Sequence, residues 1–375
     1  MFCVFYMMQL TSNGLSRHLT NLCPFKTDDD IQHFRSVLSQ LPSVTSVTLD
    51  SSMGHIPWAV LHSCLIHPRM VSLSLTLHEH GLESVPCSRN DLATMAINLK
   101  SFAYTTTMWR EWEGKGKNLL KNYTRELRFL SALVPFLNKT ATSLTLPVES
   151  CPILQMAAVQ WPQLKELTLT GRFVVAAQAV SLQLLLRSTP ALHVFCVQAA
   201  RSSRVGRRPL IPPASGNILS AARHPVPHGS TQPQSPSLSL LPELRSLTIA
   251  FPDPQDGIFS IDTQHLTHLS LRDCPRNYHR FGYQRIHVVP KDWCFPNLSP
   301  TECLTILKRL IMPNLQSLEL VYEAPTAGSD DELLTYVAEA YPRLSHLEIH
   351  RYRKARVEHV QHVGVAPPIR DQTLT

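Results

Sequence analysis

The stretch MPNLQSLELVYE, residues 312–323, places a proline shortly before leucines that then recur at every second or third position. Similar phrases occur as WPQLKELTLTGR (161–172), LPELRSLTIAFP (241–252) and YPRLSHLEIHRY (341–352). Proline cannot continue a helix, because its ring clashes with the preceding turn and it has no N–H to donate. The alternation after the proline suits a strand with one buried face. Each phrase therefore predicts the end of a helix followed by a short strand.

The segments ahead of these phrases predict helices. A hydroxyl residue with an acid three residues later, the pattern of a helix capping box, occurs at Thr27 with Asp30, Ser299 with Glu302 and Ser329 with Glu332. Apolar residues at helical spacing follow each of these pairs, and the runs end at Pro42, Pro313 and Pro342. The predicted unit is a capped helix, a proline and a short strand.

Ten copies of the strand phrase repeat along the chain. Their first apolar residues are Val44, Met70, Leu99, Ala141, Leu164, Leu192, Leu244, Leu266, Leu315 and Leu344. Six of the nine intervals between them are 22 to 29 residues long, within the range of leucine-rich repeats. The three longer intervals indicate insertions or diverged repeats. An ordinary α/β domain is the alternative, but the recurrent proline ahead of the strands argues against it.

One repeat cannot fold alone, since burying three large apolar side chains yields about 5 to 9 kcal/mol and ordering its backbone costs about 25 to 50 kcal/mol. Stacked repeats can close that difference. We therefore predict an α/β leucine-rich-repeat solenoid with a mainly parallel sheet on the concave side and helices on the convex side. It comprises residues 27–198 and 240–356, preceded at 1–26 by an incomplete repeat or irregular start.

Two further segments are predicted to lie outside the solenoid. Residues 199–239 contain five arginines, seven prolines and no acidic residue, a composition that predicts a disordered insertion. Residues 357–375 are predicted to be a flexible tail. The insertion accounts for five of the seven net positive charges, and it has no aromatic residues of the kind that stack on bases. We therefore expect no specific nucleic-acid binding.

The helix, proline and LxxLxL unit resembles the leucine-rich-repeat region of F-box proteins, particularly the divergent ones that are numerous in fungi. The ending YPRLSHLEIHRYR at 341–353 is similar to theirs, and the resemblance covers most of 27–356. In that family the F-box docks a ubiquitin-ligase adaptor while the repeats hold the substrate. The chain begins MFCVFYMMQLTSNGLSRHL without the F-box pattern. The resemblance implies substrate recognition for such a ligase, with an F-box that lies outside this chain or never existed.

The strand pattern also predicts which side chains face away from the core. In the early repeats these are small and hydroxylic, whereas the late repeats carry charge and imidazole. The predicted partner-binding residues for a protein ligand are His268, Arg272, Glu319, His346, Glu348 and His350. A leucine-rich-repeat binding protein without any ligase role is the alternative function.

Enzymatic and metal chemistry have little support in the sequence. Common nucleotide-binding, hydrolase, metalloprotease and kinase motifs are absent from it, so we expect no enzyme and no cofactor, with an enzyme of unrecognised motif as a distant alternative. His346 and His350 would stand about 13 Å apart on a strand, too far to share a metal ion, so no metal site is expected.

The cellular setting is predicted from cysteine usage and from hydropathy. Nine cysteines without a C-x-x-C pair are typical of a reducing compartment, here cytoplasm or nucleus. The opening MFCVFYMMQL is too short for a transmembrane helix, which needs about 20 apolar residues, so no membrane partner is expected.

Overall fold

The fold is a single open sheet with helices, seen in a computed structural model. The structure describes residues 6–12, 15–22, 27–51, 56–77, 92, 97–106, 117–173, 176–201, 209–211, 240–274, 297–324 and 330–352. Within these ranges, the chain forms one sheet of twelve strands, and ten consecutive strands pair in parallel. None of the helices in the described ranges is long and apolar enough to cross a membrane.

Strands and helices occur in the following order within the described residues. The strands are β1 (Tyr6–Ser12), β2 (Leu15–Leu22), β3 (Ser46–Ser51), β4 (Ser72–Leu77), β5 (Ser101–Thr106), β6 (Ser143–Pro147), β7 (Glu166–Phe173), β8 (Val194–Arg201), β9 (Ser246–Ala250), β10 (His268–Arg272), β11 (Ser317–Glu323) and β12 (His346–Tyr352). The α-helices are α1 (Asp28–Ser39), α2 (Trp58–Leu65), α3 (Lys117–Leu137), α4 (Ile153–Ala157), α5 (Ala176–Arg187), α6 (Pro300–Arg309) and α7 (Asp331–Ala340).

All ten predicted strand phrases form strands. Each parallel strand begins two residues after the predicted first apolar residue, as β11 does at Ser317 after Leu315. Strands that are consecutive in the chain are also neighbours in the sheet. In particular, β5 pairs with β6, β8 with β9 and β10 with β11, across the three long intervals. Those intervals are therefore insertions and not diverged repeats.

The proline of each phrase occupies a tight turn. In eight repeats the N–H of the first apolar residue donates to the carbonyl three residues earlier, as from Leu315 to Met312 at 3.2 Å. Seven of these turns have proline at their second position, and the eighth has Gln264 there. Proline is favoured at that position because its fixed φ matches the turn. It therefore shapes the entry into the strand as well as excluding the helix.

A paired hydrogen bond joins each repeat to the next. The carbonyl just before a strand accepts two N–H groups of the following repeat, at 2.7–3.0 Å. The accepting residues are Thr45, Val71, Lys100, Thr142, Lys165, His193, Arg245, Thr267 and Gln316. All nine junctions between parallel strands carry this contact, so the strands start at the same level across the sheet.

The core lies on one side of the sheet. In the nine repeats before β12, the first apolar residue and two strand residues after it form one hydrophobic cluster with the buried helix residues. In the repeat that contains β11 these are Leu315, Leu318 and Leu320, which are all buried. Leu347 of the edge strand β12 is 44% exposed, unlike its counterparts in the interior of the sheet. The α/β class and the parallel sheet are thus confirmed.

The start of the chain differs from the prediction of an incomplete repeat or irregular start at 1–26. β1 and β2 form an antiparallel hairpin, and β1 pairs antiparallel with β3, from Tyr6 opposite Ser51 to Thr11 opposite Ser46. The pattern of the parallel repeats did not reveal this hairpin, because it lacks their proline and LxxLxL phrase. The hairpin covers the edge of β3, which would otherwise present unpaired backbone groups.

The predicted insertion at 199–239 is ordered in part. Residues 199–201 belong to β8, and Leu210 and Ile211 are buried. Their N–H groups both donate to the carboxylate of Asp256, which also accepts from Ile258. Burial of Leu210 and Ile211 and their hydrogen bonds to Asp256 thus order this part of a segment whose composition is otherwise polar. Apart from Pro209, the rest of this segment, like the predicted tail at 357–375, lies outside the described residues.

Two of the three predicted capping boxes are present. Thr27 with Asp30 and Ser299 with Glu302 each make both reciprocal hydrogen bonds. The third prediction is wrong in its detail, since the N-cap of α7 is Asp330, which makes no side-chain capping bond. Ser329 lies outside the described residues.

Asp256 provides a test of the ordered part of the insertion. We expect Asp256→Ala to lower the free energy of unfolding by about 3 kcal/mol or more, because it leaves three buried N–H groups without their acceptor. Urea unfolding of the whole chain measures this. Asp262 is a matched control, since its exposed carboxylate accepts a local N–H from Gln264 and no other hydrogen bond from the described residues, and Asp262→Ala should cost less than about 1 kcal/mol. Equal costs for the two variants would contradict the anchoring role.

Candidate functional site

The predicted outward-facing residues form three rows, the first two of which are in register across all ten parallel strands. Ser46 pairs with Ser72 at the start of the first row, and the row continues strand by strand to Ser317 and His346. Two parallel rows lie two and four residues further along each strand. Alternate residues of a strand point to opposite sides of the sheet, so these rows lie on the side away from the core. We call this side the polar face.

The early part of the polar face is made of small side chains. The hydroxyls of Thr76 and Thr105 share a hydrogen bond of 3.1 Å across β4 and β5. Thr105 also donates to the carbonyl of Leu75 at 3.3 Å. These hydroxyls therefore serve the strands themselves, which fits the β-propensity of threonine.

The late part of the polar face holds four predicted site residues that are linked one to the next, Arg272, Glu319, Glu348 and His350, which we call the charged cluster. Arg272 Nε lies 3.9 Å from Glu319 Oε1. Glu319 and Glu348 are directly opposite each other on β11 and β12. His350 Nε2 lies 2.5 Å from Glu348 Oε1. Three strands thus contribute to one continuous group.

The strands and one neighbouring hydroxyl position the charged cluster. Ser270 is the register partner of Glu319 on β10, and its hydroxyl donates to Glu319 Oε2 at 2.6 Å. The side chains of Arg272 and Glu319 are only 24% and 13% exposed. Charge contacts that are this sheltered are screened less by salt than contacts in open solvent.

Two predicted site residues lie apart from the charged cluster. His268 and His346 stand at the starts of β10 and β12, in the first row, and both are exposed. The strand between them carries Ser317, so their backbones are about 10 Å apart. His268 Nδ1 contacts the hydroxyl of Thr267 at 2.7 Å. Both histidines remain candidate contact residues at the rim of the polar face.

β12 is anchored from its other side by a buried carboxylate. Asp330 is buried and accepts a hydrogen bond from the hydroxyl of Tyr322. Arg351 forms an ion pair with it, Nε to Oδ2 at 3.0 Å, and donates from Nη2 to Oδ1 at 3.2 Å. Burial, followed by the bond to Asp330, raises the pKa of the Tyr322 hydroxyl, so that it remains a donor. This anchor holds the strand that carries Glu348 and His350.

A thiol lies between the early and late parts of the polar face. Cys196 is buried, and its neighbours include Gln198, Thr248 and Arg272. Burial raises the pKa of this thiol, and the neighbouring donors and Arg272 offset only part of that rise. A thiolate nucleophile needs a lowered pKa, so the arrangement favours a packing role for Cys196.

Two cavities lie among the helices. One of about 610 Å³ lies between α1 and α2 and is lined by residues that include Leu38, Ile66 and His67. Another of about 370 Å³ lies beside α4 and α5, next to Leu154 and Leu184. Neither contains a predicted site residue. The charged cluster is open on the sheet and does not line either cavity.

Sequence reasoning singled out the members of the charged cluster but missed their surroundings. Ser270 was given no role, and the Asp330 anchor was missed because Tyr322, Asp330 and Arg351 come together only in the fold. The pairing of Glu319 with Glu348 could have been found by aligning the strand phrases one below another.

Comparison of the chain with protein-family models, with curated proteins and with solved structures found no match.

The polar face should tolerate substitution. We expect the triple variant Arg272→Ala/Glu319→Ala/Glu348→Ala to cost less than about 2 kcal/mol of unfolding free energy, since surface ion pairs contribute little and these side chains leave the core unchanged. Leu320→Ala, on the opposite side of β11, should cost about 2 to 5 kcal/mol, because Leu320 is fully buried. Urea unfolding measures both. A triple variant that is destabilised as strongly as Leu320→Ala would show that the charged cluster is structural.

Proposed function

We propose that this protein is a leucine-rich-repeat scaffold that binds a protein ligand on the C-terminal part of a concave sheet. The observation that carries the proposal is the charged cluster, which concentrates four polar side chains on β10 to β12 in one preformed surface. The ten parallel strands in chain order and their proline turns support the repeat assignment. The early strands offer mainly short hydroxyl side chains at the equivalent positions.

A preformed surface reduces the cost of binding. Residues on neighbouring strands are held about 4.8 Å apart by the backbone, so little side-chain and loop ordering remains to oppose association. Arg272 and Glu319 are already partly withdrawn from water. Arginine and sheltered charge pairs are common at the centres of protein interfaces, where truncating a hot-spot residue costs at least about 2 kcal/mol.

The charged cluster is smaller than a stable protein interface, so a protein ligand must also contact other parts of the sheet. Three strands span about 10 Å, and the three rows span about 13 Å along them, whereas a stable interface buries roughly 800 Å² on each partner. The cluster is therefore too small to form the whole interface. We infer that it supplies the central contacts, and that His268, His346 and the hydroxyl rows of neighbouring strands supply the surrounding ones.

The resemblance to F-box proteins supports a more specific form of the proposal, in which the sheet recognises substrates for a ubiquitin ligase in the cytoplasm or nucleus. The alternative is a binding scaffold without a ligase connection. The two differ in their partners: a ligase component copurifies with a ubiquitin-ligase adaptor, whereas a simple scaffold does not. Mass spectrometry of complexes isolated with the full chain from native cells distinguishes them.

The binding site itself is tested by affinity capture from native lysate. We expect Arg272→Ala/Glu319→Ala/Glu348→Ala to lose a specific partner at least tenfold relative to the unmodified chain, the loss that corresponds to about 1.4 kcal/mol. The matched control is Ser46→Ala/Ser72→Ala/Ser101→Ala, which alters the same face at β3 to β5 and should retain the partner. The partner is then purified and its affinity for each variant is measured. An unchanged partner list for the folded late variant would overturn the proposal.

A further inference from the structure

We propose that Glu319, Glu348 and His350 form a binding site for a Zn²⁺ ion on the polar face. One carboxylate oxygen from each glutamate and one imidazole nitrogen lie within 4.8 Å of one another. The two glutamates come from adjacent strands, and His350 lies two residues beyond Glu348 on the same face. This site goes beyond the proposed protein-binding role and does not depend on it.

The two glutamates bring two negative charges together on adjacent strands. Like charges directly opposite each other in a sheet destabilise the pair. Glu319 and Glu348 stand in that relation, with side chains 13% and 44% exposed. Arg272 lies 3.9 Å from Glu319 on the strand away from Glu348, and His350 lies 2.5 Å from Glu348. A divalent cation between the carboxylates would neutralise both.

The donor set fits zinc better than Mg²⁺ or Ca²⁺. Imidazole nitrogen suits Zn²⁺, Cu²⁺ and Ni²⁺, whereas Mg²⁺ and Ca²⁺ prefer oxygen donors alone. Zinc binds histidine nitrogen and carboxylate oxygen at about 2.0 to 2.2 Å, which in a tetrahedron separates the ligand atoms by roughly 3.4 Å. The three donor atoms lie within 4.8 Å of one another, so small side-chain rotations suffice. Three protein ligands leave a fourth position for water or for a group of another molecule.

Ser270, next to the site, holds the carboxylate of Glu319 in place. Metal-binding carboxylates are commonly held in place by a second hydrogen bond, which fixes their orientation. Ser270 provides such a bond to Glu319 Oε2 at 2.6 Å. The other oxygen of Glu319, Oε1, lies 3.9 Å from Arg272 Nε. Ser270 is thus a positioning residue in this proposal.

The test is zinc titration of the purified full chain, freed of metal with EDTA, by isothermal calorimetry. We expect one equivalent of Zn²⁺ to bind with micromolar affinity or better, and Glu348→Gln and His350→Ala each to weaken it at least about tenfold. His346→Ala is the matched control, because it removes an exposed imidazole from the same face of β12 and should leave this equivalent unchanged. The chain has eighteen histidines and nine cysteines, so the difference between variants is the readout.

Two further measurements separate loss of the site from loss of the fold. Arg272→Ala should bind zinc several-fold more tightly, because it removes a positive charge beside Glu319, an effect opposite to that of unfolding. Co²⁺ in place of zinc should show visible d–d absorption without a thiolate charge-transfer band in the unmodified chain, and this absorption should disappear in His350→Ala.

The proposal is overturned if no zinc equivalent distinguishes the unmodified chain from folded Glu348→Gln and His350→Ala, or if the bound cobalt shows thiolate charge transfer. The protein-binding role is tested separately, because affinity capture in the presence of EDTA reports on the polar face without metal. Loss of zinc binding with a retained partner contradicts only the zinc site. Loss of the partner with retained zinc binding contradicts only the protein-binding role.

Discussion

The paired hydrogen bond between successive repeats is the contact on which the sheet depends. A backbone carbonyl has two lone pairs, and the carbonyl before each strand uses both to accept consecutive N–H groups of the next repeat. The prolines act at the same place, since a tight turn presents those N–H groups side by side. This local geometry occurs at all nine junctions between parallel strands. It therefore fixes the direction of each strand and the residue at which its pairing with the preceding strand begins.

Register in turn decides which side chains meet. A slip of one residue would move every apolar side chain of a strand to the polar face. The paired bond prevents this even across the insertions, where up to 52 residues separate one first apolar residue from the next. Loop closure becomes costlier only slowly with loop length, so the insertions are tolerated once the strands pair. The charged cluster exists because β10, β11 and β12 are aligned in this way.

The sequence predicted the repeated elements well and the unrepeated ones poorly. The start of all ten parallel strands followed from the positions of residues such as Leu164 and Leu315, because burial of one face imposes a pattern that recurs. The antiparallel hairpin at Tyr6–Leu22 and the anchoring of Leu210 and Ile211 by Asp256 each occur once, so they left no periodic signal.

The candidate site was likewise predictable from the sequence only in part. Strand alternation was enough to assign Arg272, Glu319, Glu348 and His350 to one face. The search for metal ligands, however, considered only spacing along a strand, where His346 and His350 are too far apart. Neighbouring parallel strands bring residues closer than that, so the cross-strand trio of Glu319, Glu348 and His350 appears only when the strand phrases are placed in register with one another. Long-range pairing is the information that a single strand phrase lacks.

The position of the charged cluster at the end of the described sheet has a physical consequence. Within the described residues, β12 has a hydrogen-bonded neighbour on one side alone, so it relies on side chains more than an interior strand does. The buried Asp330 supplies that support through Arg351, which points away from the polar face, and through Tyr322 of β11. Breaking a buried ion pair leaves an uncompensated charge and is strongly destabilising. The arrangement of Glu348 and His350 therefore depends on a contact on the opposite side of the strand, so a substitution at Asp330 would alter the candidate site without touching any of its residues.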